Sequence, residues 1–128
     1  MTEKKRTVFC DIDGTIFKYR KFEEITTTKP ELTPDALGQL RRWKRDGCMI
    51  VFTTARPEEL RSHTVKELLT NEVPWDKLIM GIERGPRYLV NDSDPAKPKQ
   101  IRAVAYSIPR DKGLKRVIVG ATEEETSR

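Results

Sequence analysis

Two short apolar runs, each breaking off in a polar loop and separated by helix-forming sequence, constrain this chain more than any other feature. The first, residues 7–12, runs directly into Asp13-Gly14-Thr15, and the second, residues 48–52, into Thr53-Thr54-Ala55-Arg56. Short, nearly continuous apolar runs bounded by turn signals read as buried strands. Between them, Thr33 stands in the N-cap place, Pro34 follows at the first helical position, and Leu37, Leu40 and Lys44 recur at helical spacing with Trp43 alongside. Gly47 then supplies a stop. Strand, helix, strand in that order implies a parallel pair joined by a crossover.

The pattern continues. Pro57 opens a second helix in which Leu60, Thr64, Glu67 and Leu68 trace one face. Leu78-Ile79-Met80 and Tyr88-Leu89-Val90 read as two further short strands, the latter ending in Asn91-Asp92. Residues 16–30 read as an irregular flap or small hairpin. After a Pro-rich stretch, residues 101–108 read as a strand or a short helix, with the strand preferred, and Val117-Ile118-Val119 as one more strand. Residues 1–6 and 121–128 are expected to be flexible. With no internal repeat and no composition boundary, the 128 residues form a single domain, 1–128. Strands alternating with helices make it a layered α/β domain around a mostly parallel sheet.

Hydrophobic residues are 36% and charged residues 35% of the chain, so the core is lean and the outside heavily charged. No apolar run approaches bilayer length, and the polar start lacks a signal-like segment, so a soluble, cytoplasmic protein is expected. Cys10 and Cys48 lie in or beside strand-like runs and read as buried reduced thiols. His63 is the only histidine, which leaves no zinc-ligand spacing and points to a solvated surface side chain. The formal charge is +5. Residues 41–45 carry cations on a helix tail, where they suit the macrodipole. Lys18, Arg20 and Lys21, on the flap, are expected to help recruit an anionic substrate.

In sheets of this kind the ligand site lies beyond the carboxyl ends of the strands. Asp11, Asp13, Thr54 and Asp92 all follow apolar strands and fall on that rim. Three carboxylates without cysteine or histidine make an all-oxygen site suited to Mg²⁺. Thr54 offers a hydroxyl and a backbone N–H to an anion.

Asp11-Ile12-Asp13-Gly14-Thr15 resembles the signature of the haloacid dehalogenase (HAD) superfamily. Thr53-Thr54-Ala55-Arg56 is similar to the second motif of that superfamily, and Tyr88-Leu89-Val90-Asn91-Asp92-Ser93-Asp94 to its fourth, in the right order. The resemblance implies a three-layer Rossmann-like HAD fold, a central mostly parallel sheet flanked by helices, with no room for a cap domain. It implies a phosphomonoester hydrolase in which Asp11 is the nucleophile and Asp13 the acid–base group. Mg²⁺ would be held by the Asp11 and Asp92 side chains and the Asp13 carbonyl, with Thr54 on a phosphoryl oxygen.

The third motif, a cation, has no obvious match, because only residues 81–86 separate the third and fourth expected strands. Either that connection is a bare loop, or the two strands are antiparallel neighbours. Arg84 is the preferred cation, with Arg87, Lys77 and Lys97 as alternatives; Arg56 is the weaker phosphate candidate because a residue at a helix start faces solvent readily. Sugar phosphates or nucleotides are the expected substrates. Capless relatives act on large substrates or borrow a neighbouring subunit, so a homo-oligomer is compatible. A phosphatase of nucleic-acid ends is an alternative, disfavoured by the 7% aromatic content. A non-catalytic, phospho-accepting module of the response-regulator kind is another.

Overall fold

A computed structural model describes residues 5–120. The regular elements are β1 (Thr7–Cys10), α1 (Ala36–Arg45), β2 (Met49–Thr53), α2 (Arg61–Thr70) and β3 (Lys77–Ile79). Short 3-10 turns cover Phe22–Glu24 in the flap and Glu58–Leu60 before α2. The strands form one parallel sheet in the order β1-β2-β3. This is the mixed α/β arrangement expected, a small parallel sheet flanked by helices and compatible with a Rossmann-like fold. Of the ends expected to be flexible, residues 1–4 and 121–128 lie outside the described residues.

Register decides which side chains share a face. Cys10 pairs with Phe52, and Phe52 with Leu78. That face, with Ile50, packs into one core with Leu40 and Trp43 of α1, Leu68 of α2, and Leu114 and Val117 from the C-terminal turn. The opposite face carries Phe9, Met49 and Ile79, all exposed, while Val51 between them is buried. Both cysteines are buried and neither forms a disulfide, as expected.

Helix α1 begins at Ala36 and not at Pro34, because Asp35 adopts a left-handed conformation (φ 60°). Thr33 acts elsewhere. Its buried hydroxyl donates to the Thr15 carbonyl at 2.7 Å, tying the base of the flap to the loop after β1. Gly47 does stop the helix, as expected. It is left-handed, its N–H reaches the Lys44 carbonyl, and the Cys48 N–H reaches that of Trp43. This paired closure is a Schellman motif. Asp76 then fixes the entry to β3: its carboxylate accepts from the Ile50 N–H at 2.7 Å and from Lys44 Nζ at 2.8 Å. Those contacts hold its pKa below the usual carboxylate value, Lys44 first.

Three expected strands do not form. Residues 83–108 leave the sheet after two backbone bonds, Gly81 N–H to Arg56 and Ile82 N–H to Thr54, and run as irregular chain with Tyr88 and Val90 91% exposed. Local apolarity favours a strand only where a partner edge accepts its hydrogen bonds, and Pro86, Pro95 and Pro98 withhold donors along this stretch. The question of a bare crossover or an antiparallel pair therefore lapses. No strand forms at 117–119: the Val117 N–H donates to the Leu114 carbonyl to close a turn over 114–117, and the Gln39 amide of α1 clamps this turn through the carbonyls of Leu114 and Val117. Among the described residues no helix is long and apolar enough to cross a membrane.

That clamp predicts a contrast between two glycines. A Cβ on Gly113 (φ 91°) would collide with the Pro34 carbonyl, whereas one on Gly38, inside α1, meets open space. Gly113→Ala should destabilise by more than about 2 kcal/mol, and Gly38→Ala should stabilise by up to about 1 kcal/mol, in urea unfolding.

Candidate active site

The loop after β1 is wound tightly on Ile12. The Ile12 carbonyl accepts from the N–H groups of Thr15, Ile16 and Phe17, and its side chain is fully buried. This turn presents Asp11 and Asp13 on either side of a buried anchor. Gly14 (φ 85°) makes the reversal possible and lets the Arg110 side chain lie against it, within 3.2 Å of where a Cβ would stand. The Asp111 N–H donates to the Gly14 carbonyl at 2.8 Å, and the Asp111 carboxylate accepts from the Tyr19 N–H at 2.7 Å. Residues 110–111 thus staple the loop to the start of the flap, with the Arg110 guanidinium stacked 4.1 Å above the Tyr19 ring.

Asp11 and Asp13, two residues apart, sit in different surroundings. Asp11 is partly buried and receives one side-chain bond, from the Thr15 hydroxyl at 3.3 Å. Burial raises its pKa above the usual carboxylate value and the Asp13 charge adds to this, against the lowering effects of the Ile12 N–H, the Arg87 charge and the Thr15 hydroxyl. The neighbouring Cys10 thiol is pushed up to about 12 by burial and the Asp11 charge, which leaves it inert as a nucleophile. Asp13 is gripped in a fork: Arg56 Nε donates to Oδ2 at 2.9 Å and Nη2 to Oδ1 at 2.8 Å.

Arg56 does not face solvent. Its side chain is 1% exposed, and its remaining nitrogen, Nη1, donates to Thr64 Oγ1 at 3.0 Å and Glu67 Oε1 at 2.9 Å, both on α2. Burial works against its charge, but the bonds to Asp13 and Glu67 outweigh this and raise its pKa further. Glu67 also accepts from Arg20 Nη2 at 3.0 Å, and its other oxygen lies 3.1 Å from His63 Nε2. His63 is therefore a partly buried contact of the flap, its Nε2 also 2.9 Å from the Ile25 carbonyl, and not a solvated side chain. Sequence reasoning missed this network; its one signal was Thr64 and Glu67 on the apolar stripe of α2, polar groups that need buried partners.

Thr54 is buried at the end of β2, but its N–H is committed to the Ile79 carbonyl at 3.0 Å, so an anion can take its hydroxyl alone. That hydroxyl accepts from the Arg56 N–H at 3.1 Å and keeps its own proton to donate. Of the candidate cations, Arg84 and Arg87 are both exposed, Arg87 donates to the Gly85 carbonyl at 2.6 Å, and its charge works to lower the Asp11 pKa. Lys77 is exposed on β3 and Lys97 closes a turn onto Asp94. Asp92 lies on the irregular segment, exposed, with Asn91 at 3.3 Å and Arg102 at 3.4 Å. The described residues contain no group of three His, Cys, Asp or Glu side chains placed to hold a metal ion. The flap cations are also engaged: Lys18 pairs with Glu31 at 2.8 Å and Arg20 with Glu67.

A raised carboxyl pKa in the fold means that the ionised form is disfavoured there. Its stability contribution is present below the unfolded pKa and is lost as pH rises through the folded value. Asp11→Asn should accordingly melt higher than the wild type at pH 7 without divalent ions, with the gap closing as pH falls into the carboxyl range. Differential scanning calorimetry across that range checks it.

Comparison with known proteins bears on the fold and the family. A search among curated proteins finds no match. Among solved structures, two chains described as the Pnkp1/Rnl/Hen1 complex and the Pnkp1/Rnl/Hen1 RNA repair complex superpose with TM-scores of 0.54 and 0.53 at 22% identity. Each match covers 66% of this chain, which spans about 30% of the length of the first and 28% of the second. A structural-genomics target from Vibrio cholerae gives a TM-score of 0.50 at 16% identity, covering 76% of this chain and 89% of that one. At these identities the likeness is one of fold. Residues 8–108 match the family model of the LNS2 domain of PITM 1-3. The match takes in β1, both helices, β2, β3 and the loop of Asp11 and Asp13, and this chain belongs to the LNS2 domain family, a family of HAD-like phosphatases.

Proposed function

We propose that this chain is a Mg²⁺-dependent phosphomonoester hydrolase working through Asp11 and Asp13. The observation that carries the reading is the contrast between them: two carboxylates on one turn, one partly buried with a single side-chain bond, the other clamped by a buried arginine. Environments that differ in this way give two like groups different roles.

An Asp11 oxygen attacks phosphorus, forming an aspartyl-phosphate as the ester P–O bond breaks, and Asp13 delivers a proton to the departing oxygen. Water then attacks phosphorus and gives its proton to Asp13, which frees Asp11 and inorganic phosphate. Each Asp13 oxygen accepts one bond from Arg56 and keeps a lone pair for that proton. The Thr54 hydroxyl and Arg87 are the groups suited to the phosphoryl oxygens, and Arg87 replaces Arg84 because its charge is felt at Asp11.

The donors fit a hard divalent ion, being oxygens throughout. Mg²⁺ is commonly held by one or two carboxylates with several waters, and Asp11 with the Asp13 carbonyl is such a set. When bound, the ion supplies charge neutralisation at the phosphate. Asp92 would join as a third ligand through an inward movement of the irregular segment; Asp92→Ala should then weaken Mg²⁺ affinity, read by calorimetric titration.

Small phosphorylated metabolites, sugar phosphates or nucleotides, are the proposed substrates. The likeness to chains of an RNA repair complex makes a phosphorylated oligonucleotide the natural competitor in the same panel. With an aryl phosphate and Mg²⁺, turnover should vanish in Asp11→Asn and fall ~10²–10⁴-fold in Asp13→Asn. Arg87→Ala should raise KM about 10–100-fold while Arg84→Ala leaves it unchanged. Full activity in Asp13→Asn would remove the acid–base assignment, and retained turnover in Asp11→Asn the nucleophile.

A further inference from the structure

The buried charges do not end at Asp13. They alternate from the loop after β1, through the end of β2 and through α2, into the flap: Asp13, Arg56, Glu67, Arg20, with His63 at the edge. Glu67 is the junction. One oxygen accepts from both arginines, at 2.9 and 3.0 Å, and the other faces His63. Arg20 then reaches two flap carbonyls, Ile25 at 3.2 Å and Thr28 at 3.0 Å, and His63 meets the same Ile25 carbonyl. Ile25 is the flap's one buried side chain between residues 21 and 29.

We propose that Glu67 is a positioning residue that makes the flap and Asp13 one mechanical unit, so that the acid–base carboxylate is correctly aimed only while the flap is seated. This rests on the acid–base reading of Asp13. The physical argument is one of charge balance. With Glu67 ionised, two carboxylates balance two guanidinium groups in a site where Arg56 is 1% and Arg20 10% exposed. Without that charge, two buried cations share one carboxylate. Arg56 is then drawn wholly to Asp13, and Arg20 loses its anchor on α2. Arg20 then keeps only the Ile25 and Thr28 carbonyls of the flap itself, and its Nε is buried without a partner among the described residues. A buried unpaired cation is costly and relaxes by moving towards water, which here means lifting the flap. Glu67 keeps its own charge against burial: the two arginines hold its pKa below the usual value although desolvation pushes the other way.

Glu67→Gln, which keeps shape and removes charge, is the test. Three readouts are expected to move together in the folded variant. Turnover of an aryl phosphate falls roughly 10–100-fold in kcat. The pH–rate profile shifts. Hydrogen exchange at the flap amides of Thr27 and Thr28 accelerates. Arg20→Gln, made at the flap side of the chain, should give the same accelerated exchange and lowered kcat, and it carries the test should Glu67→Gln fail to fold. Lys66→Gln, on the exposed side of α2, is the control. A Glu67→Gln or Arg20→Gln protein that melts lower but keeps the wild-type pH profile and flap exchange would overturn the proposal. Exchange in Asp13→Asn decides the coupling independently of turnover: faster flap exchange supports it, and unchanged exchange sinks it. Absence of turnover in the wild type would instead count against the phosphatase reading itself.

Discussion

A single guanidinium, that of Arg56, stands between the loop after β1 and the helix behind it. Every one of its side-chain nitrogens is bonded, two to Asp13 and one to Thr64 and Glu67, and almost none of it touches water. A cation so placed is tolerable only with compensating charge at good geometry, because desolvation opposes it strongly. Asp13 and Glu67 provide that charge. The loop after β1 and helix α2 are thereby obliged to sit where they do, and the orientation of Asp13 is set by the interior and not by solvent.

The same pairing explains how one turn can hold two carboxylates with different chemistry. Asp13 is neutralised from the inside. Asp11 has no such partner among the described residues: it has the Ile12 N–H, a hydroxyl, a neighbouring negative charge, partial burial and the distant pull of Arg87. A carboxylate left in that state suits the divalent ion and the phosphoryl group of the proposed reaction. Fold and chemistry meet here, in a buried ion pair on one side of the turn and an under-compensated carboxylate on the other.

The irregular segment after β3 gives the domain its open character. Beyond Ile82 the chain contributes few backbone bonds to the sheet, and apolar side chains such as Tyr88 and Val90 lie in water. The chain returns at residues 110–117, where Asp111 staples the loop after β1 and Leu114 and Val117 re-enter the core. The site is thus framed by a flap held from within by Arg20 and by a C-terminal turn held by Gln39. Its third side is formed by loop.

Much of this is legible in the order of residues. The apolar runs at β1 and β2 announce themselves because each breaks off in a turn, although β2 is buried along most of its length and β1 only at Cys10, and Gly47 marks the end of α1 because its left-handed turn suits glycine. Asp11 and Asp13 stand out because their motif is local, its turn closed by backbone bonds among neighbours. Residues 88–90, 101–108 and 117–119 mislead for the converse reason: a strand needs an edge to pair with, and no local pattern reports whether one is within reach. Thr33 misleads similarly, its hydroxyl being spent on a carbonyl 18 residues away. The roles of Arg56, Glu67, Arg20 and His63 belong to the tertiary structure alone. Whether a charged side chain meets water or another charge depends on which segments the core brings together, and these four come from three separate ones.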